Sequence, residues 1–147
     1  MKFGFDLHGV IDTKPEFFRS LFLLLFEGGC EVHVLSGPPS EQVEKELEDL
    51  GFLKGIHYNY LFSIVDYLRL KGAEMRQDSR GNWWADPYEW DRAKGAYCDH
   101  HKIDIHFDDS DTYRYFFKTP FARFFSRDTS RINKTKVDYG KGQKGIS

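Results

Sequence analysis

Polar side chains follow three apolar runs that favour β-strands. Asp6 comes after the first run, Ser36 after the second, and the pair Asp108 and Asp109 after the third. Because ligands bind at the carboxyl ends of parallel strands, we expect these side chains to meet at one edge of a sheet. Carboxylate oxygens are the ligands that Mg²⁺ prefers, and three carboxylates gathered without a cation would repel one another. The pattern therefore predicts a Mg²⁺ site.

Asp6 has the properties of a nucleophile for phosphoryl transfer. A carboxyl group with an ordinary pKa of about 3.9 is ionised at neutral pH. Transfer to a carboxylate also needs a bridging cation, donors for the remaining phosphoryl oxygens and an acid for the leaving group. Asp108 and Asp109 would complete the oxygen ligands of the cation. These residues therefore indicate phosphoryl-transfer chemistry.

The elements that must position Asp6 begin with a βαβ unit. Residues 2–6 predict a buried strand, and residues 31–35 predict a second strand. Between them, Thr13-Lys14-Pro15-Glu16 has the form of a capping box with Thr13 as the cap. The apolar helix that follows should be largely buried against the sheet and should end at Gly28-Gly29. Such a unit is right-handed in nearly all proteins.

The rest of the chain continues the alternation of helices and strands. This alternation indicates an α/β fold with a mostly parallel sheet. The segment 73–87 interrupts the rhythm, and its turn signal at residues 78–82 predicts a small inserted hairpin. The other predicted elements are a helix capped by Ser40 and ended by Gly51, a strand over 57–63, a helix over 64–70, a helix over 91–101, a strand over 103–107 and a strand over 119–126.

The length of 147 residues fits one domain. We expect an α/β domain over residues 1–126 and a disordered tail over 127–147, because the tail is basic and poor in apolar residues. Cys30 and Cys98 have no metal-type spacing; free thiols are expected, and a disulfide between them stays open.

The overall charge excludes a global field that would recruit anionic partners. The formal net charge is -2, so neither nucleic acid nor an anionic membrane is indicated, although the basic tail leaves nucleic acid as an unsupported alternative. The longest apolar run, residues 21–26, is far too short to cross a bilayer. With no basic stretch followed by an apolar stretch at its start, the sequence predicts a cytoplasmic protein.

The order of these motifs resembles the haloacid dehalogenase (HAD) superfamily of aspartate-nucleophile phosphatases. The resemblance covers residues 2 to about 125 and implies a Rossmann-like three-layer sandwich. By position, Asp6 matches the nucleophile, and the backbone carbonyl of His8 matches a further metal ligand. Ser36, followed by Gly37, matches the hydroxyl that binds a phosphoryl oxygen. The acidic pair at residues 108 and 109 matches the motif that holds Mg²⁺.

The resemblance also implies a lysine that binds the phosphoryl group. Lys94 matches this position, since it lies in the first turn of the helix predicted over 91–101. Lys102 is the alternative, but it abuts the following strand at the end away from the acidic pair. The sequence therefore favours Lys94 over Lys102 as the motif lysine and leaves both open.

His8 departs from the family pattern. Phosphatases of this family usually carry a second aspartate two residues after the nucleophile, which serves as general acid and base. An imidazole suits the same task because its ordinary pKa is about 6.5. A neighbouring Mg²⁺ and Lys94 would lower that pKa, however. The sequence therefore leaves two hypotheses open: His8 is the acid and base, or the domain only binds a phosphorylated ligand or a protein partner.

Other aromatic and histidine residues have more ordinary interpretations. Trp83 and Trp84 are expected to pack the inserted hairpin, with stacking on a base or sugar of a substrate as the alternative. His106 is expected to be a packed or hydrogen-bonded strand residue rather than a metal ligand. A transition-metal site that also used His100 and His101 is disfavoured, because these lie at the opposite end of the predicted strand.

The resemblance sets limits on the substrate. The inserted hairpin is too small to be a full cap domain, so the site should be open. An open site favours large or extended phosphomonoesters, such as a nucleotide or a phosphorylated polymer end. The expected activity is that of a Mg²⁺-dependent phosphatase.

Overall fold

The alternating runs of the sequence form a parallel sheet with helices on both faces. The computed structural model of the protein describes residues 1–126. In chain order its elements are β1 (Lys2–Asp6), a 3₁₀ turn (Ile11–Thr13), α1 (Pro15–Glu27), β2 (Glu31–Ser36), α2 (Ser40–Asp49), β3 (Tyr60–Ser63), α3 (Ile64–Leu70), β4 (Met75–Gln77), β5 (Trp83–Ala85), α4 (Pro87–His100), β6 (Ile105–Asp108), a 3₁₀ turn (Tyr113–Phe116) and β7 (Phe121–Arg123).

Five strands make up the main sheet in the order β3-β2-β1-β6-β7, and every neighbouring pair is parallel. The chain builds outward from β1 through β2 to β3 and then returns to the other side of β1. The direction of winding therefore reverses between β1 and β6. In open α/β sheets, ligands bind at the carboxyl ends of the strands beside such a reversal.

Two apolar clusters pack on opposite faces of this sheet. One cluster joins β1 and β2 to α1 and α2, with Phe5, Phe22 and Leu47 fully buried. The other joins β2 and β3 to α3 and α4, with Ile64 and Trp90 fully buried. The result is a Rossmann-like α/β sandwich of helices, sheet and helices, as the sequence predicts in its coarse form.

The inserted hairpin is present. Strands β4 and β5 pair antiparallel and form a sheet of their own, and the backbone N–H of Asp78 donates to the carbonyl of Asn82 across the turn. Cys30 and Cys98 are free thiols, as predicted. Burial raises the pKa of the Cys98 thiol to about 12, so this sulfur is unreactive at neutral pH.

The predicted burial of α1 is wrong. Phe18 and Phe22 are buried, but Phe17 and Leu24 are 52% and 67% exposed. A helix that lies on one face of a sheet covers only one stripe of its own surface, so the apolar residues on the far side stay in solvent. Gly28 and Gly29 end the helix as expected, with Gly29 at a φ of 79°.

The predicted capping box at the start of α1 is also wrong. Thr13 ends the preceding 3₁₀ turn, and its hydroxyl donates to the carbonyl of Val10 instead of capping α1. Ser40 likewise is the first residue of α2 rather than its cap, and its N–H donates to the Asp66 carboxylate at 3.1 Å. Both hydroxyl residues therefore have other hydrogen bonds than the predicted ones.

The helix that carries Lys94 starts earlier than predicted. It begins at Pro87 rather than at Asp91, and Asp86 caps it by accepting from the N–H of Glu89 at 3.1 Å. A capping aspartate followed by proline is a strong start signal that the sequence interpretation passed over. Lys94 is therefore the eighth residue of α4 and lies beyond its first two turns.

Several predicted strands are shorter in the structure. The third and the last strand of the main sheet are confined to Tyr60–Ser63 and Phe121–Arg123, and the strand predicted over 103–107 runs from Ile105 to Asp108. The predicted tail, 127–147, lies outside the described residues. Within residues 1–126, no helix combines the length and the apolar character needed to span a bilayer.

Candidate active site

Three carboxylates come together where the winding of the sheet reverses. Asp6 ends β1, Asp108 ends β6, and Asp109 follows it. One oxygen from each lies within 4.8 Å of the others, and among residues 1–126 this is the one group of three side chains that could hold a metal ion. Asp6 and Asp108 are fully buried, whereas Asp109 lies nearer to solvent. An all-oxygen set of this kind suits a hard divalent cation.

Gly9 makes room for Asp109 in this arrangement. The backbone of Gly9 has a φ of 92°, in the region that favours glycine. A Cβ atom added there would lie 1.9 Å from Oδ2 of Asp109, so any other residue would displace that carboxylate. The loop is held by a hydrogen bond from the N–H of Gly9 to Oδ1 of Asp12, at 2.8 Å. The turn after Asp6 is therefore shaped around the acidic pair.

Lys94 enters the same place from α4. Its Nζ lies 3.1 Å from Oδ1 of Asp6 and 2.9 Å from Oδ2 of Asp108, and the side chain is fully buried. Nζ also lies 4.7 Å from the ring centre of Tyr113, a cation–π contact. Lys102 is exposed and lies just beyond α4, with a φ of 58°. Of the two lysines that the sequence offered, Lys94 is the one that contacts the carboxylates.

The charges in this cluster are strongly coupled. Burial by itself lowers the pKa of Lys94, but attraction to Asp108 and Asp6 outweighs burial, so the lysine pKa is raised and the ammonium stays charged. Burial would raise the pKa of Asp108, yet Lys94 and a hydrogen bond from His106 hold it well below its usual range. Asp108 and Lys94 therefore form an ionised pair.

Asp6 behaves differently from Asp108. Burial raises its pKa well above the ordinary value, repulsion from Asp108 raises it further, and attraction to Lys94 offsets only part of these effects. In the absence of a cation, the carboxyl of Asp6 is therefore the one most inclined to keep its proton. A divalent cation nearby would reverse that balance, because it favours the ionised form.

His106 supports Asp108 from within β6. Its Nε2 lies 2.9 Å from Oδ2 of Asp108, and its ring stacks on Phe117 with ring centres 5.1 Å apart. Burial lowers the pKa of His106, so the neutral ring donates from Nε2 to the ionised carboxylate. The sequence predicts that His106 is a packed or hydrogen-bonded strand residue, and this geometry agrees with that prediction. Its spacing from Asp108, two residues along a strand, places both on one face.

His8 lies between Ser36 and Glu46. Its Nδ1 lies 3.4 Å from Oγ of Ser36, and its Nε2 lies 2.5 Å from Oε2 of Glu46. Ser36 is fully buried, and the carbonyl of Gly37 accepts from the N–H of Val65 at the start of α3. Glu46 was not singled out by sequence, because it is one of several carboxylates on the acidic face of α2. Only the packing of α2 identifies it.

The tryptophans have contacts of their own. Arg69 on α3 lies 4.3 Å from the ring centre of Trp83, and the indole N–H of Trp84 donates to Asp78 within the hairpin. Trp90 is buried, and its indole N–H donates to the hydroxyl of Tyr113 at 3.0 Å. These contacts match the packing interpretation of the hairpin. Trp90 therefore contacts Tyr113, the residue whose ring contacts Lys94.

His100 and His101 lie at the far end of α4. The ring of His101 contacts Tyr97 and His33, at the edge of the sheet away from the acidic cluster. The structure therefore does not bring them to the carboxylates.

Comparison of the chain with protein-family models, with curated proteins and with solved structures finds no match. The candidate site is consequently defined by its own geometry: buried Asp6 at the reversal of winding, an acidic pair beside it, and a buried lysine bridging the two strands.

Proposed function

We propose that this protein is a Mg²⁺-dependent phosphomonoester hydrolase of the HAD type, with Asp6 as the nucleophile. The observation that carries the proposal is the convergence of Asp6, Asp108, Asp109 and Lys94 at the carboxyl edge of a parallel sheet. Three separate motifs, spread over most of the domain, meet at the place where α/β sheets bind ligands.

The residues present fit a magnesium ion. Asp6, Asp108 and Asp109 supply carboxylate oxygens within reach of one another, and the cradle at Gly9 admits the third of them. The backbone carbonyl of His8 would be a further oxygen ligand. When bound, the cation would neutralise charge on the phosphoryl oxygens and favour the ionised form of Asp6. That second effect matters because burial favours the protonated form.

The reaction uses the side chains in two steps. A carboxylate oxygen of Asp6 attacks phosphorus, the bond to the leaving oxygen breaks, and His8 donates a proton to that oxygen. Water then attacks phosphorus in the aspartyl-phosphate, His8 takes a proton from the water, the bond between phosphorus and the Asp6 oxygen breaks, and inorganic phosphate leaves. Asp6 is regenerated as a carboxylate. Ser36 and Lys94 bind the phosphoryl oxygens during both steps.

The substrate class is proposed from the size of the inserted hairpin. The inserted hairpin is small, and its tryptophans are engaged with α3 and with the hairpin itself. A nucleotide or a phosphorylated polymer end is therefore the proposed substrate, since neither requires a closed pocket around the leaving group.

The test is phosphate release from p-nitrophenyl phosphate and from a nucleotide panel, in Mg²⁺ or in EDTA. Wild type should turn over only with Mg²⁺, and Asp6→Asn should lose at least about 10³-fold in kcat, as expected for loss of a nucleophile. Asp99→Asn, an exposed position on α4, is the matched control and should keep full activity. Turnover that survives in Asp6→Asn would contradict the proposal.

A second candidate is a domain that binds a phosphorylated ligand or a protein partner without turnover. Lys94 favours it, because its ammonium already pairs with both Asp6 and Asp108 and so balances much of the negative charge without a cation. Calorimetry would distinguish the two functions. Binding of Mg²⁺ and of inorganic phosphate, with no phosphate release from any ester, would support the binding domain.

A further inference from the structure

Glu46 reaches the candidate site from α2, and both of its carboxylate oxygens have a partner. Oε2 lies 2.5 Å from Nε2 of His8, and Oε1 accepts from the amide of Gln42 at 3.0 Å. Gln42 lies one turn earlier on the same helix, so α2 itself orients the carboxylate. The direction from which Glu46 meets His8 is therefore determined by a regular element rather than by a loop.

This contact decides which nitrogen of His8 carries the proton in the neutral ring. An ionised carboxylate only accepts hydrogen bonds, so Nε2 of His8 must be the N–H donor toward Glu46. The other nitrogen, Nδ1, is then proton-free in the neutral ring, and it lies 3.4 Å from Oγ of Ser36 at the end of β2. The working nitrogen thus faces the edge of the sheet where the carboxylates gather.

We propose that Glu46 is a positioning residue that fixes the tautomer and the orientation of His8, so that Nδ1 is the atom that exchanges protons with the substrate. The inference rests on the proposed function, in which His8 donates a proton to the leaving oxygen and takes one from water. It adds a residue that no motif of the sequence indicates. Gln42 supports Glu46 from the opposite oxygen.

A positioning role should affect catalysis rather than stability. The side chains of His8 and Glu46 are 22% and 35% exposed, and ion pairs that solvent reaches contribute little to stability. Removal of Glu46 should therefore change stability only slightly, and its main effect should fall on catalysis. The size of the catalytic effect should depend on how much the leaving group needs a proton.

The kinetic experiment compares Glu46→Ala with Glu44→Ala, an exposed control on the same helix. Two substrates are used with Mg²⁺: p-nitrophenyl phosphate, whose leaving group needs little protonation, and glycerol phosphate, whose alkoxide needs a proton. In Glu46→Ala, kcat for glycerol phosphate should fall about 10- to 100-fold with KM unchanged, which is only part of the roughly 10²- to 10⁴-fold that acid–base catalysis contributes. The fall with p-nitrophenyl phosphate should be smaller.

Glu46→Gln provides the rescue, because its amide oxygen can still accept from Nε2 of His8. It should recover most of kcat for glycerol phosphate, whereas Glu44→Ala should match wild type on both substrates. If wild type is active and Glu46→Ala keeps full kcat for glycerol phosphate, or loses equally with both substrates, the inference is wrong.

Nitrogen NMR of the labelled protein keeps the inference testable even without turnover. In wild type, the proton of the neutral His8 ring should be on Nε2; in Glu46→Ala it should move partly to Nδ1, and in Glu46→Gln it should stay on Nε2. An unchanged ring in Glu46→Ala would overturn the inference. If wild type releases no phosphate, or releases no more than Asp6→Asn, the proposed function is wrong instead. The NMR result would still decide the role of Glu46.

Discussion

Two buried histidines lie at the same level of the sheet and have different surroundings. His33 in β2 and His106 in β6 both pair in register with Gly4 of β1, one on each side. Residues in register across a sheet project on the same face, so both rings lie between the sheet and α4. Burial lowers the pKa of each ring. Up to this point the two positions are equivalent.

The difference lies in the edge of the sheet that each ring faces. His106 bonds to Asp108, two residues later in its strand, whereas His33 bonds to Glu31, two residues earlier, at 3.1 Å. Helix α4 serves both rings, since Lys94 pairs with Asp108 and the hydroxyl of Tyr97 lies 2.7 Å from Nδ1 of His33.

One histidine therefore belongs to a buried ion cluster, and the other pairs with Glu31, a carboxylate that is 35% exposed. Only the cluster at the carboxyl edge contains an ionised pair away from water, which is the condition under which charges interact strongly. The comparison teaches that burial of a polar residue does not by itself indicate a functional site. The position of the bonding partner distinguishes the two, because His106 bonds toward the carboxyl edge of the sheet, where ligands bind, and His33 bonds toward the amino edge.

The largest expected effect distinguishes Lys94 in α4 from Lys102, which lies just after this helix. Lys94→Met should reduce the free energy of unfolding by about 3–5 kcal/mol, because it leaves the buried charge of Asp108 without its cation. It should also abolish phosphate release. Lys102→Met, at an exposed position, should change neither quantity measurably. Urea unfolding and the phosphatase assay measure both; a stable and active Lys94→Met protein would contradict the ion-cluster interpretation.

Gly4→Ala tests the strand that the two histidines share. A Cβ at Gly4 would lie 2.7 Å from Nδ1 of His106, while no atom of His33 is among its nearest neighbours. We expect a loss of about 1–3 kcal/mol from overpacking, with the NMR signals of His106 perturbed more than those of His33.

The double variant Gly4→Ala/His106→Ala is the control for this clash. If the steric conflict with the ring causes the loss, Gly4→Ala should cost much less in the His106→Ala background. Equal costs in both backgrounds would assign the effect to the strand backbone instead.

Substitution of each histidine by phenylalanine gives the most direct comparison. His106→Phe and His33→Phe should each cost about 1–3 kcal/mol, because each removes a hydrogen bond from a polar partner, the buried Asp108 or the part-buried Tyr97. Only His106→Phe should also weaken Mg²⁺ binding and reduce kcat, since it removes the donor to Asp108. Equal losses of activity in the two variants would mean that both effects come from general destabilisation.

The smallest expected effect is a gain of stability rather than a loss. Without Mg²⁺, Asp6→Asn should raise the free energy of unfolding by about 1 kcal/mol at neutral pH, because a buried carboxyl with a raised pKa is a source of instability. The folded protein retains the proton of Asp6 more tightly than the unfolded chain, so its stability falls as pH rises from about 3.9 through the raised value.

The advantage of Asp6→Asn should therefore vanish below about pH 3.9, where the carboxyl is protonated in both states. Asp108 has the reverse sign: its pKa is lowered on folding, and its contribution to stability is lost as pH falls through the folded value. Urea titrations at several pH values, with and without Mg²⁺, measure these trends. A destabilised Asp6→Asn protein at neutral pH without Mg²⁺ would contradict the conclusion that the buried Asp6 carboxyl destabilises the fold.

Much of the fold could be predicted because its signals are local. The strand ending at Asp6, the end of α1 at Gly28 and the hairpin over 73–87 each depend on a few neighbouring residues. The start of α4 also had a local signal, in Asp86 and Pro87, but the interpretation missed it. Burial of α1 could not be derived in this way, since it depends on how much of the helix the sheet covers.

The candidate site likewise has features that local sequence predicts and contacts that it does not predict. The sequence by itself determined which strands end in carboxylates and a hydroxyl, because the residue after an apolar run is a local property. Only the tertiary structure decided that Lys94 bridges Asp6 and Asp108, that His106 supports Asp108, and that Glu46 meets His8 across 38 residues of chain. These contacts depend on the position of whole helices against the sheet, and helix packing sums many weak interactions that no short segment contains.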